Sequence, residues 1–304
     1  MLKKAIEGIK KHGGIKRTAN EYGLLRLLDF GLIFVYSYLS KLLYKKEFVT
    51  KDYNFLEAIF YSRDIDYWCR YADVANEIKR LNINVGQRQI LLLDCGSGGE
   101  GISRFLNMPD TSFTLLDIKK EVFAGIRNGR VDPILADATR LPFSDNSIDI
   151  VVSLATTEHI PKSIRSQFFL ELKRICRGAV ILHFPVESKN GMFRGREFDI
   201  KFQSEHKQKF GFENRHTAEH INSGHPMMNE LKKTFPNSKI VGRKNCDIWL
   251  KYMILERKPL IGFLAGLIYY LAWKKKDNSI PFYECMVTWT RQPHLRLGRD
   301  STNI

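Results

Sequence analysis

Sulfur and acid are both scarce in this chain of 304 residues. Its five cysteines (Cys69, Cys95, Cys176, Cys246 and Cys285) are scattered, odd in number and never spaced C-x-x-C. That excludes a disulfide framework and a thiolate zinc site, and it fits a reducing cytosol. Asp and Glu number 33 against 48 Lys and Arg, a formal charge of +15. A balance so basic implies a polyanionic neighbour, either nucleic acid or an anionic membrane surface. Internal repeats and low-complexity tracts are absent as well. With 44% hydrophobic residues the chain is too apolar for disorder and long enough for one large core or two modest ones. No compact apolar run or small-residue cleavage site follows Lys3 and Lys4, so no secretory leader is expected.

Three zones differ in texture. Residues 1–50 are basic and then apolar, a middle zone alternates strand and helix patterns, and the last zone is again basic and apolar. Tyr71, Val74, Ala75, Ile78 and Leu81 fall at helical spacing and predict an amphipathic helix ahead of the first strand. The short apolar runs "QILLLDC", "SFTLLDI", "VDPILADA", "IDIVVSL" and "GAVILHFP" are those of strands covered on both faces. Ile164, Phe168, Leu172 and Ile175 mark one face of a helix before the fifth run, with Gly178 as the expected helix stop. This alternation predicts a parallel α/β sheet. "SKIVGRK" and "PFYECMVTWTR" add two later strands separated by an apolar insertion, 247–278.

The stretch "LLLDCGSGGEG", Leu91 to Gly101, closes the first strand with Gly96-x-Gly98-x-x-Gly101, the spacing of a dinucleotide loop. In an open α/β sheet a ligand sits at the carboxyl ends of the strands. A pyrophosphate wants bare amides and a helix N-terminus with no carboxylate nearby, whereas Asp94 and Glu100 flank this loop. A ligand bearing an ammonium and a sulfonium reverses that preference, and S-adenosyl-L-methionine is such a ligand. Asp117, at the end of the second run, suits both ribose hydroxyls, although a dinucleotide also wants an acid there. Asp137 and Ala138 after the third run offer a carboxylate for an adenine amino group and a backbone amide for a ring nitrogen.

These residues, with "LLDI" and "ADATRLPFSDNSIDIVVSLATTEHI", resemble the class I S-adenosylmethionine-dependent methyltransferases, in particular the type-11-like small-molecule group. The likeness covers about residues 65 to 185 and the final strand pair. Asp94, Gly96, Gly98 and, one residue late, Gly101 meet the D-x-G-x-G-x-G form. Leu141 to Phe143, Asp149 and Glu158-His159 match the group's pattern. The resemblance implies a Rossmann-like sheet, mostly parallel with an antiparallel final strand, carrying added N-terminal and late apolar helices. It implies a methyltransferase domain over 51–304 behind an extension at 1–50. It also implies a cofactor site lined by Gly96, Gly98, Asp117, Asp137 and Ala138, with Leu154 and Ala155 beneath the methionine portion.

Methyl transfer needs in-line placement and exclusion of water, and a base only where the acceptor must lose a proton. His159 is the foremost candidate base, because its position after the fourth strand faces the transferred methyl in this fold. His183, His206, His216, His220 and His225 are further histidines, and most are expected to cap helices or line a polar lid. His216 and His220, four apart, can share a helix face, but no carboxylate or cysteine stands at ligand spacing, so no metal site is expected. Residues 187–225 form a polar insertion, expected to be a substrate lid, in which Phe193, Phe198, Phe202, Phe210 and Phe212 interleave with basic residues.

Two apolar segments lie outside a minimal enzyme of this kind. Residues 24–46 carry a narrow polar stripe of Arg26, Asp29, Ser37, Ser40 and Lys41, as an amphipathic helix does. Leu260 to Trp273 is apolar all round and closed by Lys274, Lys275 and Lys276. As a helix it spans about 21 Å, against about 30 Å of hydrocarbon, enough to enter one leaflet. Residues 24–46 and 260–276 are therefore expected on an anionic membrane surface. The expected acceptor is lipid-linked or amphiphilic: a quinone or isoprenoid precursor, a lipid headgroup or a cell-envelope glycolipid. O-methylation is slightly favoured, at the inner face of the membrane. An RNA methyltransferase is the alternative, but no N-P-P-Y-type or RNP motif supports it. A non-catalytic adaptor would be expected to lose the acidic positions and glycines, and a dehydrogenase would bind NADH.

Overall fold

The computed structural model describes residues 65–83, 85–99, 101–126, 131–258 and 262–291. The segment 24–46, the extension 1–50 and Glu100 lie outside the described residues. Two compact units divide the rest, one of 65–69 with 251–258 and 262–275, the other of 70–250 with 276–291.

The larger unit is built on seven strands: β1 (Ile90–Cys95), β2 (Thr111–Asp117), β3 (Val131–Leu135), β4 (Ile148–Leu154), β5 (Cys176–Pro185), β6 (Lys239–Asn245) and β7 (Phe282–Thr290). Their order is β3-β2-β1-β4-β5-β7-β6. β1 to β5 pair in parallel, with Leu93 opposite both Thr114 and Val151. β7 runs antiparallel to both of its neighbours, with Ile181 opposite Thr288 and Val241 opposite Met286. This is the Rossmann-like methyltransferase sheet, mostly parallel with a reversed last strand. Every residue of β4 is buried, as expected of a central strand covered on both faces. The edges read differently: β3 tolerates Pro133, and β6 carries Lys239, Arg243 and Lys244.

The predicted first helix is α1 (Ile65–Leu81), with Tyr71, Val74, Ala75, Ile78 and Leu81 all buried. α2 (Lys162–Ile175) buries Phe168, Phe169, Leu172 and Ile175 against the sheet, each worth about 1.5–3 kcal/mol of transfer free energy. Ile164, counted on that face, is instead 40% exposed. Gly178 is not a helix stop. β5 starts at Cys176, directly after α2, and Gly178 lies within β5 where a Cβ would press on the Asp149 carbonyl.

The polar insertion is helical, not a long loop. It holds α3 (Gly195–Phe210) and α4 (Arg215–Ser223), followed by α5 (Met228–Thr234). Phe198 and Phe202, four apart, are buried, and so is Phe193. Asn214 caps α4, its side-chain oxygen accepting from Thr217 N at 3.0 Å. α6 (Cys246–Leu255) follows β6.

In the smaller unit the late apolar stretch is a succession of short helical types rather than one α-helix. A 3-10 turn (Gly262–Leu264) leads to α7 (Ala265–Ile268), a π turn (Tyr269–Trp273) and a 3-10 turn (Lys274–Lys276). Ala265 and Tyr269 are buried, whereas Leu264 and Leu271 are exposed. Tyr269 meets Tyr252 edge-on at 6.1 Å, and the Tyr252 hydroxyl accepts from Ile65 N at 3.2 Å. No helix among the described residues is long and apolar enough to cross a membrane.

Candidate functional site

The ends of β1, β2, β3 and β4 carry the predicted ligand residues side by side. Gly96 takes φ +80° immediately after β1, and its amide donates to Leu116 O at 2.7 Å. A Cβ on Gly96 would collide with the Thr156 side chain, whose hydroxyl reaches Gly96 O at 3.2 Å and Leu154 O at 3.1 Å. The turns after β1 and β4 are thereby stitched together. Gly98 takes φ +61° and opens onto free space, with nothing near where its Cβ would stand. Its amide donates to Asp117 Oδ2 at 3.1 Å, and Lys119 N donates to Oδ1 at 2.9 Å. Asp137 Oδ1 accepts from the Thr139 amide and hydroxyl, both at 2.8 Å, while Ala138 packs against the core. Leu154 is buried, and Ala155 adopts a left-handed φ of +49° with its amide on His183 O at 2.9 Å. A non-glycine residue there is strained, as residues at functional turns often are.

Asp94 lies beneath the loop rather than on its surface. It is fully buried, and its Oδ2 accepts from Ile102 N at 2.7 Å, tying the loop to the 3-10 turn that follows. Burial pushes its pKa up to about 7, and the neighbouring Asp117 charge adds to this. Its effect on a ligand is therefore exerted from inside the fold rather than as a full charge on the loop surface. Oδ1 of Asp94 has no hydrogen-bond partner. An orphaned buried oxygen and the open space beside Gly98 both fit a ligand with a cationic group held close to the backbone.

Residues 93–184 match the family model described as a methyltransferase domain. Over those residues, under a third of its length, the chain is similar to methyltransferase domains. Phthiotriol/phenolphthiotriol dimycocerosates methyltransferases of Mycobacterium tuberculosis and Mycobacterium bovis are 29% identical to it over 102 residues, covering 31% of this chain and 36% of theirs. The chain thus spans about a third of the length of the curated relatives it matches. Among solved structures, phosphoethanolamine N-methyltransferase 2 of Haemonchus contortus in complex with S-adenosyl-L-methionine is 16% identical, with a TM-score of 0.43, over 78% of this chain and 57% of that one. A SAM-dependent methyltransferase from Aquifex aeolicus is 18% identical, with a TM-score of 0.29, over 36% and 62%.

On the other side of the β4 turn, the chain gathers histidines. His159 ends the 3-10 turn Thr157–His159 and is half-buried. Its ring lies 4.7 Å from those of His216 and His220, which are 4.5 Å from each other on α4. Burial and these two imidazoles push the His159 pKa down to about 3, so it is neutral at physiological pH. Glu219 Oε2 stands 3.7 Å from His159 Nδ1. Burial works to lower the His220 pKa, but the Asp199 hydrogen bond and the Glu158 charge outweigh it and raise the value. The α4 spacing was legible in the sequence; the arrival of His159 from a distant turn was not.

Two further residues that carry no sequence signal build this side of the site. Arg165 is 1% exposed and spreads its guanidinium over Ile160 O at 2.8 Å, Thr157 O and Ser223 O at 3.3 Å, and Gly224 O. It holds the His159 turn against the end of α4. Asp199 is 0% exposed and accepts from His220 Nδ1 at 3.0 Å, His225 Nε2 at 2.7 Å and the Tyr283 hydroxyl at 2.7 Å. Burial would raise its pKa, but the two histidine hydrogen bonds prevail and hold it below the usual range. His183 and His206 are structural. His183 is wholly buried, 3.7 Å from Glu284, which itself pairs with Arg70 at 3.3 Å and Lys244 at 3.0 Å. His206 Nδ1 contacts Phe212 O at 2.9 Å.

Proposed function

We propose that this protein transfers a methyl group from S-adenosyl-L-methionine to a hydroxyl of an amphiphilic or lipid-linked small molecule at the inner membrane surface. The observation that carries the methyl-transfer reading is the set Asp94, Gly96, Gly98, Asp117, Asp137, Ala138, Leu154 and Ala155 at adjoining strand ends, the place where open α/β sheets bind ligands. Asp117 would take the ribose and Asp137 with the Ala138 amide the adenine, while the buried Asp94 would favour the ammonium from beneath the loop. The bound cofactor supplies an electrophilic methyl on a positively charged sulfur. The chain's own task is to orient the acceptor, exclude water and receive a proton. His159 is the proposed proton acceptor, neutral because of its depressed pKa and held in place through Arg165.

The membrane part rests on other features. The basic balance of +15 and the three lysines that close the late helical stretch suit an anionic surface. Leu271 at 70% and Leu264 at 38% exposure offer side chains that a leaflet interface would cover. The name of the mycobacterial relative, a methyltransferase of phthiotriol and phenolphthiotriol dimycocerosates, supports an amphiphilic acceptor. To test the reading, the protein is incubated with methyl-labelled cofactor and membrane lipid extract, and separately with total RNA. Label in the organic phase is expected. Label in RNA alone, or loss of vesicle binding at moderate salt with no dependence on Leu271, would refute the lipid acceptor.

A further inference from the structure

Three imidazoles meet where the turn after β4 faces α4, and one nitrogen from each of His159, His216 and His220 lies within 4.8 Å of the others. Ring packing alone would not call for histidine at all three positions. The atom that decides the matter is Nε2 of His220. That residue is 4% exposed, its Nδ1 points at Asp199, and its Nε2 is buried with no hydrogen-bond partner. Asp199 already accepts from His225 and Tyr283, so it is an acceptor for Nδ1–H and leaves Nε2 as a bare lone pair. A buried carboxylate that fixes the tautomer and tilt of an imidazole is the support that metal-ligating histidines receive.

The other two ligands suit the same purpose. His216 precedes His220 by four residues on α4, the spacing at which two histidines on one helix face share a zinc ion. His159 is pinned opposite them through the Arg165 fan. Zinc–imidazole bonds of about 2.0–2.1 Å bring three nitrogens to roughly 3.3 Å from one another. The trio must therefore contract, and His216, the exposed member, can do so by turning its side chain. We propose that His159, His216 and His220 bind a divalent transition metal of the zinc class, with a fourth position open to an oxygen of the acceptor. The acceptor oxygen rests on the methyl-transfer reading; the three-nitrogen site does not. With a metal present, its charge lowers the pKa of the bound hydroxyl. The O–H proton then passes to solvent buffer, and His159 is relieved of accepting it.

The full chain is stripped with a chelator and titrated with Zn²⁺ against a chromogenic competitor. One zinc per chain is expected. His216→Ala, at an exposed position, should weaken binding at least tenfold, and Asp199→Asn by about 10–100-fold. Loading with Co²⁺ should give tetrahedral visible bands that His216→Ala abolishes. Zinc held equally by the wild type and His216→Ala, or no zinc held at all, overturns the site. Calorimetry with S-adenosylhomocysteine on the same samples keeps the two ideas apart. Cofactor binding without zinc sinks the metal alone, whereas zinc without cofactor binding supports the metal and sinks methyl transfer.

Discussion

Replacing Asp94 by asparagine separates the charge of this buried side chain from its shape. Oδ2 holds the Ile102 amide, Oδ1 has no partner, and burial lifts the pKa from 3.8 to about 7. Between those values the folded protein keeps a proton that the unfolded chain has released. Stability therefore falls as pH rises from about 4 to about 7 and levels off above. At about 1.4 kcal/mol per pH unit, ionised Asp94 costs the apo fold on the order of 4 kcal/mol at pH 8. Asparagine retains an acceptor for Ile102 and has no charge to bury, but its amide brings an orphan donor worth about 1–3 kcal/mol. Asp94→Asn should thus be less stable than the wild type at pH 4 and more stable at pH 8, the two curves crossing between. Urea unfolding at steps of one pH unit reads this directly. A cationic ligand favours the ionised form, so cofactor binding near pH 6 should release a proton. Calorimetry in two buffers of different ionisation enthalpy measures that release. Parallel stability curves from pH 4 to 8 would refute the account of Asp94.

Gly96→Ala should cost about 1–2 kcal/mol for its left-handed backbone and more for displacing Thr156, with part of the loss restored by a second change, Thr156→Gly, in denaturant unfolding. Gly98→Ala should leave the unfolding midpoint nearly in place, within about 1–2 kcal/mol, while weakening S-adenosylhomocysteine at least tenfold by filling the space beside Asp117. Arg165→Lys cannot reproduce the guanidinium fan over four carbonyls, and a loss of about 3 kcal/mol or more is expected in thermal or urea unfolding. Because the His159 pKa lies at about 3, no acid limb from it should appear near pH 6.5 in kcat; such a limb, abolished by His159→Gln, would show that the imidazole titrates normally.

The strands were legible because a sheet covered on both faces writes its members as short apolar runs between turn residues, and all seven runs became strands. The glycine loop was legible for a related reason, since Gly96 and Gly98 sit where side chains would collide or fill ligand space. Burial of polar residues was not legible. Asp199, His206, His220 and His225 fall in the polar insertion expected to be a substrate lid, and all four are buried, offset by hydrogen bonds that no local pattern reveals. For Asp94 the sign of the charge could be read but its depth could not. Arg165 left no periodic mark at all; a buried arginine is visible only once the four carbonyls it serves have been assembled.

The reversed direction of β7 affects the order in which the protein becomes competent. Tyr283, which holds Asp199, stands at the beginning of the last strand, whereas the glycine loop and its acids are complete once β1 to β4 have paired. During synthesis the proposed cofactor half can form early, and the proposed acceptor half must wait for the last strand to arrive. On the proposed reading, a nascent chain able to hold its cofactor would still be unable to align its acceptor.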